Sequence, residues 1–129
     1  MLSLEKVHHI AIICSNYERS KAFYCNVLGF TIAQEVYRKE RNSYKLDLLL
    51  NNQYVIELFS FPESIPRPTR PEAHGLRHLA FAVKDLKKEL LELNRLEVDY
   101  EPIRIDESTG KQFVFFRDPD DLPLELYQI

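Results

Sequence analysis

Two histidines and two glutamates recur at matching places in the two halves of this 129-residue chain. The histidines, His9 and His78, lie in the apolar runs VHHIAII and LRHLAFA, and the glutamates, Glu57 and Glu125, lie in VIELF and PLELY. Histidine precedes glutamate by 48 residues in the first half (from 9 to 57) and by 47 in the second (from 78 to 125). Ionisable groups are rare on apolar strand faces unless a partner offsets the cost of burial. The repeat therefore indicates one shared partner.

A single divalent metal ion is the simplest such partner. Imidazole nitrogen and carboxylate oxygen suit Ni²⁺, Zn²⁺, Co²⁺, Fe²⁺ and Mn²⁺, and two carboxylates offset the charge of the ion. Four protein ligands leave two positions open on an octahedral ion, which is typical of a catalytic site. We therefore expect His9, Glu57, His78 and Glu125 to bind the metal. The carboxylates of Glu57 and Glu125 are also the expected catalytic groups, since a glutamate that leaves the ion could shuttle a proton.

Each of these residues also has an ordinary structural interpretation. A lone histidine in an apolar strand is usually a core histidine, and a lone glutamate in a strand usually faces solvent. The joint pattern of two residue types at matched spacing favours the metal site. The other histidines lack that pattern, because alternation places His8 on the opposite strand face and His74 lies beside Gly75 in a linker. The segment 118–121 (DPDD) indicates a turn, not a ligand set.

The order of apolar runs predicts an α+β fold with two βαβββ modules in a single domain, residues 1–129. Module one spans 1–61, a proline-rich linker spans 62–74, and module two spans 75–129. Strands are predicted at 7–14, 30–37, 44–50, 53–61, 76–83, 99–105, 112–116 and 122–128. One helix is predicted to begin after Ser15-Asn16 and end at Gly29. The other is predicted to begin after Asp85, with an apolar stripe of Leu86, Leu90 and Leu93 at positions i, i+4 and i+7.

Strand alternation predicts where the repeated residues point. Each of the four would lie on the concave, apolar face of its strand, as His9 does with Ala11 and Ile13. If the two modules pair symmetrically, the four side chains converge in one cleft of an eight-stranded open barrel. Such half-clefts expose apolar faces, which favours a homodimer.

Composition limits the classes of partner. A formal net charge of −3 without a Lys/Arg run gives no electrostatic footprint for nucleic acid or an anionic membrane. The first residues lack the pattern of a signal peptide, and no apolar run approaches the roughly 20 residues of a membrane span. The two cysteines form no CxxC motif, which predicts free thiols. We expect a cytoplasmic protein that binds a small molecule.

The pattern resembles the vicinal oxygen chelate superfamily, and most of all its glyoxalase I-like branch of lactoylglutathione lyases and small relatives of the YaeR type. The resemblance rests on the two modules, on the four metal-ligand positions, on the helix segment 19–30 (RSKAFYCNVLGF) and on Asp118-Pro119-Asp120 before the last strand. It implies the glyoxalase/bleomycin resistance/dioxygenase fold. It also implies a lyase or isomerase that works through a metal-bound enediolate on a small α-oxo or hemithioacetal-type substrate.

Two departures from the glyoxalase I pattern bear on the substrate. Where that family has an arginine and an asparagine that contact glutathione, this chain has Ile13 and Phe61. Two alternatives stay open: a metal-containing protein that binds or sequesters a small molecule, and an epimerase or dioxygenase relative. The second glutamate, Glu57, counts against oxygen activation, because it takes a position that extradiol dioxygenases leave open.

Overall fold

The computed structural model describes all residues, 1–129, and the chain forms two compact units, Met1–Pro66 and Arg67–Ile129. Each unit contains one four-stranded mixed sheet, and the two sheets have the same topology. The architecture is α+β, as the sequence predicted. The helices are too short and too polar for any of them to span a membrane, and neither cysteine forms a disulfide bond.

The first unit has the order β1 (Ile10–Cys14), α1 (Tyr17–Ala22), β2 (Thr31–Arg38), β3 (Ser43–Leu50) and β4 (Gln53–Ser60). A wider helical turn, Phe23–Val27, extends α1, and a short 3₁₀ turn, Lys39–Arg41, follows β2. The sheet order is β1-β4-β3-β2, with β1 parallel to β4 and the other pairs antiparallel. The core of this unit holds fully buried side chains from α1's extension, β3 and β4, namely Tyr24, Leu46, Leu48, Ile56 and Leu58.

The second unit repeats this order with β5 (Leu79–Val83), α2 (Leu86–Arg95), β6 (Arg104–Ile105), β7 (Gln112–Arg117) and β8 (Pro123–Gln128). Its sheet order is β5-β8-β7-β6, and β5 is parallel to β8. Leu86, Leu90 and Leu93 of α2 are buried, which confirms the predicted apolar stripe.

Capping side chains begin both helices where the sequence predicted. Asn16 accepts a hydrogen bond from the backbone nitrogen of Arg19 at 3.0 Å, and Asp85 accepts one from that of Lys88 at 3.1 Å. Each cap satisfies one of the amides that a first helical turn leaves unpaired. The helical segment of unit one ends at Gly29, whose φ of 79° is the left-handed conformation that favours glycine.

The first strand of each unit is shorter than the prediction. Strands over 7–14 and 76–83 were expected, but β1 begins at Ile10 and β5 at Leu79. Pairing with β4 starts only at Ile10, opposite Ile56. In unit two the Arg67 guanidinium donates to the carbonyl oxygens of Leu76 and Arg77, at 2.5 and 3.3 Å. A side chain therefore takes the hydrogen bonds that a neighbouring strand would make to this backbone.

The predicted strand at 99–105 is also largely absent. Only Arg104–Ile105 pairs with β7 as a strand, and Tyr100 forms an isolated bridge to Phe116. Pro102 lies between them and has no amide hydrogen to donate to a ladder, which interrupts the strand. The remaining strands lie within two residues of their predicted positions.

Candidate metal and active site

The first pair, His9 and Glu57, lies at the edge where β1 begins. His9 immediately precedes β1, and Glu57 on β4 is opposite Ala11 in the parallel ladder. His9 Nε2 lies 3.8 Å from Glu57 Oε2, and the two side chains are 37% and 15% exposed. Ala11 and Ile13 are exposed on β1, whereas Ile12 and Cys14 are buried. This His–Glu pair therefore occupies the open face of this sheet.

Glu57 is surrounded by polar side chains. Tyr54 donates its hydroxyl to Glu57 Oε2 at 2.8 Å and lies 3.1 Å from Asp47 Oδ1, while Lys45 Nζ is 3.6 Å from Glu57 Oε2. Lys45 is closer to Asp47, at 2.9 and 3.2 Å, and this hydrogen bond is the main cause that raises the pKa of Lys45. Burial, then the hydrogen bonds to Glu57 and Asp47, raise the pKa of Tyr54. Tyr54 is thus kept protonated as a donor.

The second pair, His78 and Glu125, has the same placement with closer contact. His78 immediately precedes β5, and Glu125 on β8 is opposite Ala80. His78 Nε2 lies 2.9 Å from Glu125 Oε2, and the side chains are 27% and 11% exposed. The other ring nitrogen, Nδ1 of His78, is buried without a hydrogen-bond partner.

Aromatic rings take the place of polar groups around Glu125. Phe115, opposite Glu125 on β7, contacts His78 edge-to-face with ring centroids 5.1 Å apart. Phe113 is stacked with Tyr127 at 6.3 Å and lies edge-to-face with Phe115 at 5.8 Å. The Tyr127 hydroxyl is directed elsewhere, to Asp106 and Thr109. Apart from His78, Glu125 has no side-chain partner.

The structure brings each histidine to its glutamate, but it contains no group of three or more His, Cys, Asp or Glu side chains that could hold a metal ion. The donor chemistry nevertheless fits a divalent cation. Ligand atoms about 2.1 Å from an ion are about 3 Å apart at a right angle and farther apart at wider angles. The separations of 2.9 and 3.8 Å are within that range.

The prediction that His8 faces away from His9 is wrong. The Nδ1 atoms of His8 and His9 are 2.8 Å apart, and both rings lie 5.1 to 5.3 Å from each other and from the Tyr54 ring. Strand alternation does not apply here, because both histidines precede β1. His74 lies in the irregular segment before β5 without a contact to either pair. Asp118 accepts hydrogen bonds from the amides of Asp120 and Leu122, which confirms the predicted turn.

Sequence reasoning missed the polar neighbours of Glu57. Lys45 and Asp47 occupy alternate positions of β3 and are interleaved with the buried Leu46 and Leu48, and this alternation was available as a signal. Tyr54 gave no comparable signal, because its contact with Glu57 depends on the start of β4. Ile13 and Phe61, the residues at the glutathione-contact positions of glyoxalase I, line one cavity of about 480 Å³ in unit one together with Arg41.

The matched topology and the two His–Glu pairs define a duplicated βαβββ protein with a candidate metal site. A family model for the glyoxalase/bleomycin resistance protein/dioxygenase superfamily matches residues 6–126. The chain therefore belongs to this superfamily.

Relatives of the same length share most of the sequence. The chain is 64% identical to uncharacterized protein YwkD of Bacillus subtilis (strain 168) over 125 residues, which are 97% of this chain and 98% of that protein. It is 60% identical to uncharacterized protein YaeR of Escherichia coli (strain K12) over 128 residues, 99% of each chain.

Solved structures share the fold. A glyoxalase family protein from Enterococcus faecalis is 46% identical, with a TM-score of 0.89 and coverage of 96% of this chain and 98% of that one. The fosfomycin resistance protein FosX from Listeria monocytogenes, crystallised with Mn(II) and sulfate, has a TM-score of 0.74 over 98% of this chain and 94% of that one. Its identity is 17%, so this likeness shows the fold alone.

Proposed function

We propose that this protein is a metal-dependent enzyme of the glyoxalase I type, a lyase or isomerase that acts on a small α-oxo or hemithioacetal-type substrate. The observation that supports this most is the repeated approach of an imidazole nitrogen to a carboxylate oxygen on the open face of each sheet. A salt bridge alone would not require the same pairing twice at the same register.

In this proposal His9, Glu57, His78 and Glu125 bind one divalent ion, Ni²⁺, Zn²⁺, Co²⁺, Fe²⁺ or Mn²⁺, with the ligands drawn from one chain or from two copies. When bound, such an ion polarises a carbonyl oxygen and stabilises negative charge that develops on it. Nε2 of His78 faces the Glu125 carboxylate, and Glu125 has no other side-chain partner that would compete with an ion.

The two glutamates are assigned different catalytic roles. Glu57 accepts the Tyr54 hydroxyl and lies near the Lys45 ammonium, so its carboxylate is held in place. Glu125 contacts only His78, so no hydrogen bond from another side chain has to break when its carboxylate moves. Glu125 therefore takes the proton from the carbon beside the carbonyl and returns it to the neighbouring carbon, while Glu57 anchors the site.

The substrate class in this proposal is wider than the hemithioacetal of glutathione. Ile13 and Phe61 present apolar surface where glyoxalase I has polar contacts, and apolar groups do not compensate the desolvation of a peptide carboxylate. Arg41 lines the same cavity and supplies a cation there. We also propose that the enzyme acts in the cytoplasm as a homodimer, in which a second copy covers apolar side chains of the open faces such as Ile13, which is 52% exposed.

Exchange of substrate hydrogen tests this function. Purified protein with added Ni²⁺ or Zn²⁺ is incubated in D₂O with α-hydroxy ketones, 2-oxo acids and methylglyoxal plus several thiols, and NMR follows deuterium incorporation beside the carbonyl. We expect exchange with at least one compound, loss of exchange in Glu125→Gln, and no change in Glu107→Gln, a control at an exposed loop glutamate. If a compound binds but no deuterium is incorporated, the result would contradict the proposal that the protein is an enzyme. It would favour a protein that sequesters a small molecule.

A further inference from the structure

A second feature of unit two is a cavity rich in arginine that includes the ligand His78. The cavity has a volume of about 150 Å³, and its wall combines the segment before β5 with β6 and β7. Besides His78 and Phe115, it is lined by five arginines and two glutamates: Arg67, Arg70, Arg77, Arg104 and Arg117, with Glu72 and Glu101. The charged lining therefore has a formal excess of three positive charges (5 − 2).

The acidic residues do not neutralise this cavity. Glu101 is shared by Arg104 at 3.1 Å and Arg117 at 3.6 Å, and the further acidic neighbour of Arg117, Asp121 at 3.8 Å, is 62% exposed. Glu72 pairs with Arg77 at 2.8 Å, but both side chains are more than 60% exposed, where an ion pair contributes little.

The remaining two arginines have no acidic partner. Arg67 donates through Nη2 to the carbonyl oxygens of Leu76 and Arg77, and its Nε is buried without a hydrogen-bond partner. Arg70 is an exposed lining residue, and no carboxylate lies within ion-pair distance of it. A buried N–H donor without an acceptor is costly and is expected to have a partner in the functional state.

We infer that this cavity binds an anionic oxygen group of the substrate, a carboxylate or a phosphate, while the reacting oxygens bind near His78. Planar guanidinium groups match both anions with paired, charge-assisted hydrogen bonds. All residues that line this cavity belong to the second unit, and neither Ile13 nor Phe61 is among them. The inference rests on the proposed function, because it takes the occupant to be the substrate of the same site.

Binding of two small probes tests the inference. Inorganic phosphate and acetate are titrated calorimetrically at low ionic strength into wild type, Arg70→Gln and Arg104→Gln, before and after removal of metal by chelation. Arg95→Gln is the matched control, because Arg95 pairs with Glu92 three residues earlier as Arg104 pairs with Glu101, but lies on α2 outside the cavity. Arg70 is exposed and unpaired, so its variant is expected to fold even if Arg104→Gln does not.

We expect saturable binding of at least one probe, weakened about tenfold or more in the two cavity variants and unchanged in Arg95→Gln. Binding should persist after chelation, because the arginines and not the ion hold the probe. Preference for phosphate or for acetate would identify the anion. No saturable binding of either probe, or the same affinity in every variant, would overturn the inference. Metal content of the same preparations reports separately on the proposed function.

Discussion

The two His–Glu pairs occupy the same positions of the same topology, but their surroundings differ. In both units the glutamate lies on the last strand, opposite an alanine of the first strand and opposite one residue of the preceding antiparallel strand. That last residue is Asp47 beside Glu57 and Phe115 beside Glu125. The backbone repeat thus gives two equivalent positions, and the side chains around them give the two glutamates different surroundings.

This difference separates a fixed carboxylate from a free one. Asp47 holds Lys45 and Tyr54 beside Glu57, whereas Phe115 offers Glu125 and His78 only an aromatic ring. A carboxylate that accepts hydrogen bonds loses them when it moves, and one without donors does not. Duplication of the fold therefore need not duplicate the role of each glutamate.

The largest effect is expected from exchanging the two glutamates for glutamine. Glu125→Gln should lower kcat by about 10²- to 10⁴-fold, the usual range for loss of a general base, while Glu57→Gln should mainly weaken metal binding. Steady-state kinetics at saturating metal separates these effects. Equal losses of kcat in both variants, with metal retained, would show that Glu57 and Glu125 do not have different catalytic roles.

The next effect concerns the hydroxyl that fixes Glu57. Tyr54→Phe should weaken metal binding by about 10- to 100-fold, because the ligand carboxylate loses the donor that orients it. Tyr127→Phe is the control, since its hydroxyl contacts Asp106 and Thr109 and neither ligand glutamate. Competition with a metal indicator measures both constants. Unchanged affinity in Tyr54→Phe would show that Glu57 is not held by this contact.

A smaller effect should follow from releasing Lys45. Asp47→Asn removes the carboxylate that Lys45 contacts most closely, and Glu57, 3.6 Å from its ammonium, becomes the nearest acidic partner. A competing ion pair of about 1 kcal/mol would lower metal affinity about fivefold. The double variant Asp47→Asn with Lys45→Met should recover most of that loss. If Lys45→Met does not restore metal affinity, the loss in Asp47→Asn comes from the missing Asp47 carboxylate and not from Lys45.

The smallest effect is the pH dependence that Tyr54 contributes to stability. Its pKa is raised above the ordinary value of 10.0 by burial and by hydrogen bonds to Glu57 and Asp47. The folded state therefore retains the proton better than the unfolded state, so this contribution is complete below pH 10 and decreases as pH rises above it. Urea unfolding at pH 8 to 11 should show a steeper fall in the free energy of unfolding for wild type than for Tyr54→Phe. Parallel curves would contradict this coupling.

Much of the fold could be predicted because its signals are local. The apolar period placed Leu86, Leu90 and Leu93 in the core of unit two, and Asn16 and Asp85 marked both helix starts. The start of β1 depends on pairing with β4, a long-range contact, so alternation was extended too far and His8 was placed on the wrong face.

The candidate site was predictable only in its repeated part. Spacing identified the two histidines and two glutamates, because duplication leaves a matched pattern in the sequence. The groups that distinguish the pairs are not duplicated. Tyr54 reaches Glu57 through a side-chain contact, and Arg67 and Arg70 come from a proline-rich segment without periodicity, so no repeat marked them.

The central claim is that both pairs bind the same ion. The most direct test is the metal stoichiometry of wild type, His9→Ala, His78→Ala and His8→Ala, measured by elemental analysis after loading with Ni²⁺ or Zn²⁺ and gel filtration. We predict about one ion per chain for wild type and His8→Ala, and loss of most of it in each of the other two variants. Two ions per chain, or full occupancy after removal of either His9 or His78, would contradict the account.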